Sequence, residues 1–408
     1  MDRRQFLQST LVGAVASALP FHRLRRRPRV LLHTAWQTIN IGDIAHTPGA
    51  IHLINTYHPE VEVTLWPSDV GDGVREMLTR RFPNLQIVQQ EDEVQSAIQE
   101  SDFLLHGSGP FLVGAEEIKR WREETDKPYG VFGISVPGHS TYTDTVGKLL
   151  TNAEFVFFRD SVSLHFAQEH GVECPIMMFG PDATFSADVR DDESALSFMA
   201  DHGLQHGKFM CCIPRYRHFP YWKFSDAPVD EEKQARNEEM KEHDHAPLRE
   251  AISSVVRETD MKVLVCPEDI SQMALGKEMI VDKLPEDVRQ GVVWKEDFWL
   301  TDQALSTYLR SAGLFGLEQH SPIMCIGNGI PAIVGRFDEQ TSKTFMWRDI
   351  GLHDWLFDMD YPEQVEDYAP TVLSMAKNPI AAKSKAEKAH GRVEVFQKRM
   401  VETLENTL

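Results

Sequence analysis

Two arginines follow an apolar run in the second half of the chain and could bind an anion. Arg215 and Arg217 come directly after the run 209–213, which is typical of a buried strand. An arginine at a strand end can hold a carboxylate or a phosphate through two parallel hydrogen bonds. Arg215 is the better candidate of the two because it lies nearer to the end of the strand.

A histidine with polar neighbours follows a later run in the same half. Residues 313–316 are followed by Glu318, Gln319 and His320, and then by a helical pattern. A histidine at such a position could exchange protons near neutral pH, with its pKa influenced by the nearby carboxylate of Glu318. Helix capping or packing would explain His320 equally well on the sequence alone.

The first half of the chain offers two glycine-containing segments after its strands. Asn40, Gly42 and Asp43 follow the first predicted strand, and Gly107, Ser108 and Gly109 follow the fourth. Glycine allows tight turns and lets backbone N–H groups approach an anion or a sugar hydroxyl closely. Plain turns are the alternative, and the same alternative applies to the segment 133–138, GISVPG.

Other polar residues have structural explanations. Arg159 and Asp182 end neighbouring predicted strands, where an ion pair that closes the domain is the favoured interpretation. The His243-Asp244-His245 cluster lies in charged surroundings and is interpreted as solvated surface, so no metal ligand and no bound cofactor are predicted.

The elements that must position these residues alternate between short apolar runs and amphipathic stretches, which predicts an α/β fold with parallel sheets. Two sets of strands in series predict two Rossmann-like domains that face a cleft, with helices at the C-terminus. Thr47 and Pro48 predict the start of the first helix. The predicted strands are 30–34, 61–66, 85–88, 103–106, 129–134, 155–158 and 176–179 in the first set, and 209–213, 262–266, 291–294, 313–316 and 332–334 in the second.

The domain boundaries follow from breaks in this pattern. Long loops in compact domains are often functional, so the aromatic and charged interruption within the second set is predicted to be an insertion or lid over the cleft. The predicted segments are 1–28 (signal), 29–187 (first domain), 188–377 (second domain, with the insertion 218–247) and 378–408 (C-terminal helix).

The first residues resemble a twin-arginine export signal. Arg3 and Arg4 precede a short apolar stretch and small residues suited to cleavage. This segment predicts a periplasmic or exported protein, and a cytoplasmic protein if the segment is only a basic tail. The apolar stretch is too short to span a membrane, and no transmembrane anchor is expected in the mature chain.

Charge excludes one class of partner. The chain of 408 residues has a formal charge of −20, and the seven arginines within residues 1–29 conceal a body with 35 basic and 61 acidic residues, near −26. Such a body repels nucleic acid. The five cysteines are too irregularly spaced for a disulfide framework or a zinc site. The sequence gives no indication of the oligomeric state.

Taken in order, these motifs resemble the polysaccharide pyruvyl transferase family over roughly residues 30–355. The matching features are N-x-G-D at residue 40, the glycine-rich turn at residue 107, G-x-S-x-x-G at residue 133, R-D-S at residue 159, P-D at residue 181, the strand that ends in Arg215, and H-S at residue 320 before G-x-P. The resemblance implies a fold like that of GT-B glycosyltransferases. It also implies transfer of a pyruvyl group from phosphoenolpyruvate to two sugar hydroxyls, with a polysaccharide as acceptor.

The resemblance also implies roles for individual residues. His320 would be the catalytic acid or base, Arg215 would bind the anionic groups of the donor, and Lys343 matches a lysine that the family often places after its last strand. The remaining substrate-binding candidates are Asn40, Gly42, Asp43, Gly107, Ser108, Gly109, Arg217, Glu318 and Gln319.

Two features depart from the family pattern. Glu318 occupies the position of a customary arginine, and an export signal would separate the protein from phosphoenolpyruvate, a cytosolic metabolite.

Two alternatives therefore stay open beside pyruvyl transfer. One is an exported glycan-binding protein without catalysis, in which Phe219, Tyr221, Trp222 and Phe224 stack on sugar rings. The other is a GT-B-type glycosyltransferase, which rests on fold analogy alone.

Overall fold

The computed structural model describes residues 26–34, 37–136 and 142–408. Most of the predicted signal segment, and part of the segment 133–138, lie outside these residues. None of the helices in the described ranges has the length and apolar character needed to cross a membrane.

The first half of the chain forms a seven-stranded sheet in which every pairing is parallel. The strand order is β3-β2-β1-β4-β5-β6-β7, the doubly wound order of a Rossmann-like domain. Its strands are β1 (Arg29–Thr34), β2 (Glu62–Pro67), β3 (Gln86–Ile87), β4 (Phe103–His106), β5 (Tyr129–Ile134), β6 (Val156–Phe158) and β7 (Met177–Phe179).

Helices connect these strands on both faces of the sheet. Strands β4 and β5 are buried along their whole length, as expected for central strands covered on two sides. The helices are α1 (Ile41–Tyr57), α2 (Val74–Arg81), α3 (Glu91–Glu100), α4 (Ala115–Glu124), α5 (Asp144–Thr151) and α6 (Ser161–Glu169).

The second half repeats the plan with a six-stranded parallel sheet in the order β10-β9-β8-β11-β12-β13. Its strands are β8 (Phe209–Ile213), β9 (Lys262–Val265), β10 (Val292–Trp294), β11 (Gly313–Gly316), β12 (Ala332–Arg336) and β13 (Leu356–Asp358). Its helices are α7 (Asp192–Asp201), α8 (Glu231–Glu258), α9 (Gln272–Met279), α10 (Glu286–Arg289), α11 (Thr301–Tyr308), α12 (His320–Gly327), α13 (Met346–Asp349) and α14 (Pro362–Lys377). The predicted fold class is confirmed.

The last helix, α15 (Pro379–Glu405), returns from the second domain to the first. Near its start, Ala386 belongs to the core of the second domain. Near its end, Met400, Val401 and Leu404 are fully buried in the core that also contains Leu32 of β1. The chain therefore crosses between the domains twice.

Three local predictions are corrected by the structure. Helix α1 begins at Ile41 rather than at Thr47, because Asn40 caps it and Pro48 lies inside it. Within the predicted insertion or lid 218–247, residues 231–247 form not a loop but the first part of α8, a helix of 28 residues.

The third correction concerns the His243-Asp244-His245 cluster, which was interpreted as solvated surface. Asp244 and His245 are buried, because α8 packs them against the end of β8. There Asp244 accepts two hydrogen bonds of 2.8 Å from Arg217, and His245 Nε2 accepts one of 3.3 Å from the backbone N of Arg215.

Candidate functional site

The two domains meet where the N-terminus of α1 lies against the loop that follows β9. The backbone N of Ile41 donates to the carbonyl of Glu268 (2.9 Å), and the N of Ile270 donates to the carbonyl of Ile39 (3.1 Å). The carboxyl ends of strands in both sheets point to this junction, the usual place for ligands in α/β folds. The candidate site is built around it.

His320 stands at the centre of the site, at the start of α12 and directly after β11. Its side chain is almost fully buried. The Nε2 atom lies 3.2 Å from Nζ of Lys343, and the Nδ1 atom lies 3.4 Å from Glu268 Oε1 and 3.8 Å from Asp43 Oδ1. Burial first, and Lys343 second, hold the pKa of His320 well below its ordinary value.

Gly42 explains how α1 comes so close to this histidine. A Cβ atom added at Gly42 would lie 2.1 Å from Cβ of His320, far inside van der Waals contact. Sequence reasoning assigned this glycine to a tight turn. The structure places it inside α1, where the missing side chain allows the helix and the His320 ring to pack together.

Arg215 donates a hydrogen bond to Glu318, the residue that stands where the family pattern has an arginine. Its NH1 group donates to Glu318 Oε2 at 2.5 Å, and Gln272 Nε2 donates to the other oxygen of Glu318 at 2.7 Å. Burial raises the pKa of Glu318 to about 7 although Arg215 opposes this shift. Burial, and then Glu318 itself, likewise raise the pKa of Asp269 to about 7.

Lys343 enters the site from a short helical turn after β12, and the structure places it beside His320. Its side chain is buried, and burial lowers its pKa to about 8, with a further lowering from Arg159. The site therefore brings together Asp43, Gly42, Glu318, His320 and Lys343, with Arg215 attached through Glu318.

A buried polar network supports the site from the first domain. Arg159 NH1 donates to Asp182 Oδ2 at 2.7 Å, which confirms the predicted ion pair. Asp182 Oδ1 lies 2.9 Å from Nδ1 of His46, and the same nitrogen lies 2.5 Å from Ser108 Oγ. His46, Asp182 and Arg159 are all buried, and the His46 and His320 rings meet edge to face with centroids 5.0 Å apart.

The other predicted residues lie around the site or away from it. Asn40 uses its side chain to cap α1, accepting from the backbone N of Gly42 and of Asp43. Gln319 is buried next to His320, and neither polar atom of its side chain has a partner in the described ranges. Gly107 and Gly109 make backbone contacts with β1 and β5.

The guanidinium group of Arg217 is paired with carboxylates of the second domain. Its guanidinium group contacts Asp244, Glu339 at 2.9 Å and Asp360 at 2.7 Å, and only 1% of its side chain is exposed. Three carboxylates thus pair with the guanidinium group that was expected to bind substrate. Ligand binding by Arg217 stays a prediction.

Sequence reasoning missed His46, Glu268 and Asp269. Glu268 and Asp269 follow β9 within four residues, so the strand-end argument applied to Arg215 would have found them. His46 lies three residues after Asp43 and therefore on the same face of α1. Asp43, His46 and His320 offer atoms within 4.8 Å of one another that could hold a metal ion.

An aromatic cluster lies beside the cleft, on the loop after β8. The ring of Phe219 lies 4.6 Å from that of Tyr221 and 5.7 Å from that of Phe224, measured between centroids. Tyr221 is 52% exposed and Phe224 is 42% exposed. The charges of Asp43 and Asp269 act on the Tyr221 hydroxyl, whose pKa is raised mainly by burial. Like Arg215, the cluster follows the carboxyl end of β8.

Comparisons with known proteins agree with this architecture. The sequence model of the family described as "Polysaccharide pyruvyl transferase" matches residues 40–334. No curated protein sequence matches the chain.

Solved structures resemble the chain over nearly its whole length. A putative UDP-N-acetylglucosamine 2-epimerase from Listeria monocytogenes has a TM-score of 0.57 at 11% identity, covering 93% of this chain and 96% of that one. The Anabaena protein HepE in complex with UDP and glucose has a TM-score of 0.56 at 9% sequence identity. The UDP-GlcNAc 2-epimerase from Neisseria meningitidis has a TM-score of 0.55 at 10% sequence identity. Each match covers 93% of this chain and 100% of the other chain. At such identities the likeness establishes a shared GT-B-like fold.

Proposed function

We propose that this chain, which belongs to the polysaccharide pyruvyl transferase family, transfers a pyruvyl group from phosphoenolpyruvate to two hydroxyls of a polysaccharide. The observation that carries the proposal is the position of His320, which lies between Lys343 and two carboxylates at the junction of the domains. A polysaccharide-modifying transferase needs a proton-transfer group at such a place.

The chemistry requires two proton transfers and one leaving group. A proton adds to the methylene carbon of phosphoenolpyruvate, which becomes the methyl group, and a sugar hydroxyl adds to the neighbouring carbon. A second hydroxyl then attacks that carbon, and the C–O bond to phosphate breaks with its electron pair on the phosphate oxygen. The two sugar hydroxyls release two protons. One of them restores the group that protonated the methylene carbon, and the other ends on the released phosphate.

We assign proton transfer to His320 and binding of the anionic donor groups to Arg215. Phosphate release from phosphoenolpyruvate, measured with a panel of bacterial polysaccharides and followed by mass spectrometry of the glycan, tests this assignment. The wild-type chain should release phosphate and add a pyruvyl ketal, and His320→Ala should do neither. Exposed His165 provides the matched control, since His165→Ala should retain the activity. Equal turnover in the two variants would remove His320 from the mechanism.

A second candidate function is glycan binding without catalysis. The favouring observation is the contact between Glu318 and Arg215, which occupies the guanidinium group that would bind the donor. The exposed rings beside the cleft would then stack on sugar rings. Glycan binding in the absence of any phosphate release would support this candidate over the transferase.

For the glycan-binding candidate, which needs no cytosolic phosphoenolpyruvate, we also propose export through the twin-arginine route, supported by the Arg3-Arg4 pair. Cell fractionation tests this proposal: the wild-type chain should be found in the periplasm, and a variant with Arg3→Lys and Arg4→Lys should stay in the cytoplasm. An identical distribution of the two chains would contradict the proposal.

A further inference from the structure

Potential metal ligands from both domains converge at the domain junction. Asp43 and His46 lie on one face of α1, His320 begins α12, and each of the three is no more than 4% exposed. Their ligand atoms lie within 4.8 Å of one another. Two imidazoles and a carboxylate are a donor set that zinc and similar divalent ions prefer.

His46 has the surroundings of a metal-binding histidine. Its Nδ1 atom is taken by Asp182 and Ser108, whereas its Nε2 atom is buried without a hydrogen-bond partner in the described ranges. Histidines that bind metals with one nitrogen usually donate the other N–H to a carboxylate, which fixes the ring. Asp182, itself fixed by Arg159, provides that carboxylate.

His320 and Glu268 add two more unpartnered atoms. In the described part of the chain neither Nδ1 of His320 nor Oε1 of Glu268 has a hydrogen-bond partner. The backbone N of Ser321 donates to the other oxygen of Glu268 at 2.6 Å and so holds the carboxylate in place.

The spacing of these atoms suits a bound ion. Nδ1 of His320 lies 3.4 Å from Glu268 Oε1 and 3.8 Å from Asp43 Oδ1. In a tetrahedral zinc site with bonds near 2.0 Å, neighbouring ligand atoms are about 3.3 Å apart. Glu268 lies outside the group of three whose ligand atoms are all within 4.8 Å of one another, so its carboxylate must move toward the other ligands to complete the coordination.

The excess of negative charge at the domain junction also favours a bound cation. Four buried carboxylates lie there, and among the described residues the cations Arg215 and Lys343 lie beside them. Buried charges are costly unless they are paired or bind a metal. The four carboxylates are those of Asp43, Glu268, Asp269 and Glu318.

We propose that His46, His320, Asp43 and Glu268 bind one divalent ion of the zinc class between the two domains. The ion would hold Nδ1 of His320 and leave Nε2 on the side of Lys343, where the proton transfer proposed above takes place. Its charge would also offset the carboxylate of Glu318. Metal binding does not depend on the proposed function, because it requires neither donor nor acceptor.

Calorimetric titration of the chelator-treated full chain with Zn²⁺ tests the site, together with the absorption spectrum of the Co²⁺-loaded protein. We expect one ion per chain with a tetrahedral Co²⁺ spectrum, and an affinity at least about 100-fold lower in His46→Gln and in Glu268→Gln. Asp338→Asn provides a control, because Asp338 belongs to a separate acidic cluster with Asp358 and Asp360. Unchanged affinity in both ligand variants, or no uptake by the wild-type chain, would overturn the proposal.

A second measurement needs no variant and therefore does not depend on the folding of one. Anomalous diffraction at the zinc edge, from wild-type crystals soaked in Zn²⁺, should give a peak between His46 and His320. An anomalous peak at another position, or the absence of any peak, would contradict the proposed metal site. Failure of phosphate release from phosphoenolpyruvate would contradict the transferase and leave both of these results unaffected.

Discussion

The carboxylate of Glu318 lies 2.5 Å from the guanidinium group of Arg215, so the arginine assigned to the donor already has an anionic partner. Only 2% of the Glu318 side chain is exposed, compared with 21% for Arg215. An anionic ligand at Arg215 must compete with a carboxylate that is held by Gln272 as well. We therefore expect this contact to weaken the binding of a donor that uses Arg215 to hold its carboxylate or phosphate.

Glu318→Gln should therefore bind phosphoenolpyruvate more tightly. Above pH 7, where the Glu318 carboxyl with its pKa of about 7 is mostly ionised, the substitution removes a negative charge near the donor, whose repulsion is worth up to about 4 kcal/mol at an effective dielectric constant of about 20. Thermal unfolding with and without the ligand measures the change, since a ligand at about 100 times its Kd stabilises the native state by about 2.7 kcal/mol. Glu339→Gln is the matched control because Glu339 pairs with Arg217 instead. Equal stabilisation of both variants would show that Glu318 does not limit donor binding.

Gly42→Ala should abolish activity by displacing His320. The new methyl group would collide with Cβ of His320 and separate α1 from α12. We expect a loss of at least 2 orders of magnitude in turnover, of the kind that about 1 Å of misplacement causes, and a lower melting temperature. Gly391→Ala is the control, since a Cβ there meets nothing within 4 Å and alanine favours the surrounding helix. Full activity in Gly42→Ala would mean that the packing of α1 on His320 is dispensable.

The aromatic cluster is expected to contribute to acceptor binding. Tyr221→Ala combined with Trp222→Ala removes ring surface beside the cleft, and sugar stacking on aromatic side chains should be lost with it. Glycan binding measured by calorimetry should weaken about 10-fold or more, whereas thermal stabilisation by phosphoenolpyruvate should persist. Unchanged glycan affinity would place the acceptor elsewhere.

The buried His106 should make the protein sensitive to acid. Burial lowers its pKa to about 3, and its Nε2 atom accepts a hydrogen bond of 3.1 Å from the backbone N of Gly114. The unfolded chain, with an ordinary histidine pKa near 6.5, binds the proton more readily than the folded chain does. Stability should therefore be full above about pH 6.5 and fall toward pH 3, with a contribution of up to about 1.4 kcal/mol per pH unit from this group.

Urea unfolding between pH 7 and pH 5 measures this contribution. His106→Gln, which can still accept the hydrogen bond from Gly114, should have a shallower dependence on pH, and exposed His165→Gln should keep the wild-type dependence. A parallel dependence in wild type and His106→Gln would contradict the assignment. Two other buried histidines would contribute to any acid sensitivity that remains in the variant: His245, whose pKa burial lowers to about 4, and His320, whose pKa burial holds well below its ordinary value.

Much of the fold could be predicted because apolar runs bounded by polar residues mark buried parallel strands. The strands β4, β5, β8 and β11 have the predicted bounds. The strand β13 escaped notice because Asp354, Asp358 and Asp360 interrupt the apolar residues around it. The start of α1 was misplaced because the Thr-Pro pair looked like a helix N-terminus, whereas Asn40 supplies the actual cap.

The site was predictable where a residue directly follows a strand or, as for Lys343, matches the family pattern. Arg215, Glu318 and His320 were found in this way. The approach of His46 to His320 depends on the docking of α1 against the second domain, and a contact between residues so far apart in the chain has no local signal. The burial of Asp244 depends similarly on its pairing with Arg217.

The return of α15 to the first domain has a consequence for biosynthesis. Met400, Val401 and Leu404 fill part of the core around β1, so that core has an apolar gap until the very end of the chain has been translated. Domains usually fold in the order in which they leave the ribosome. Here the domain that is made first must be the last to be completed.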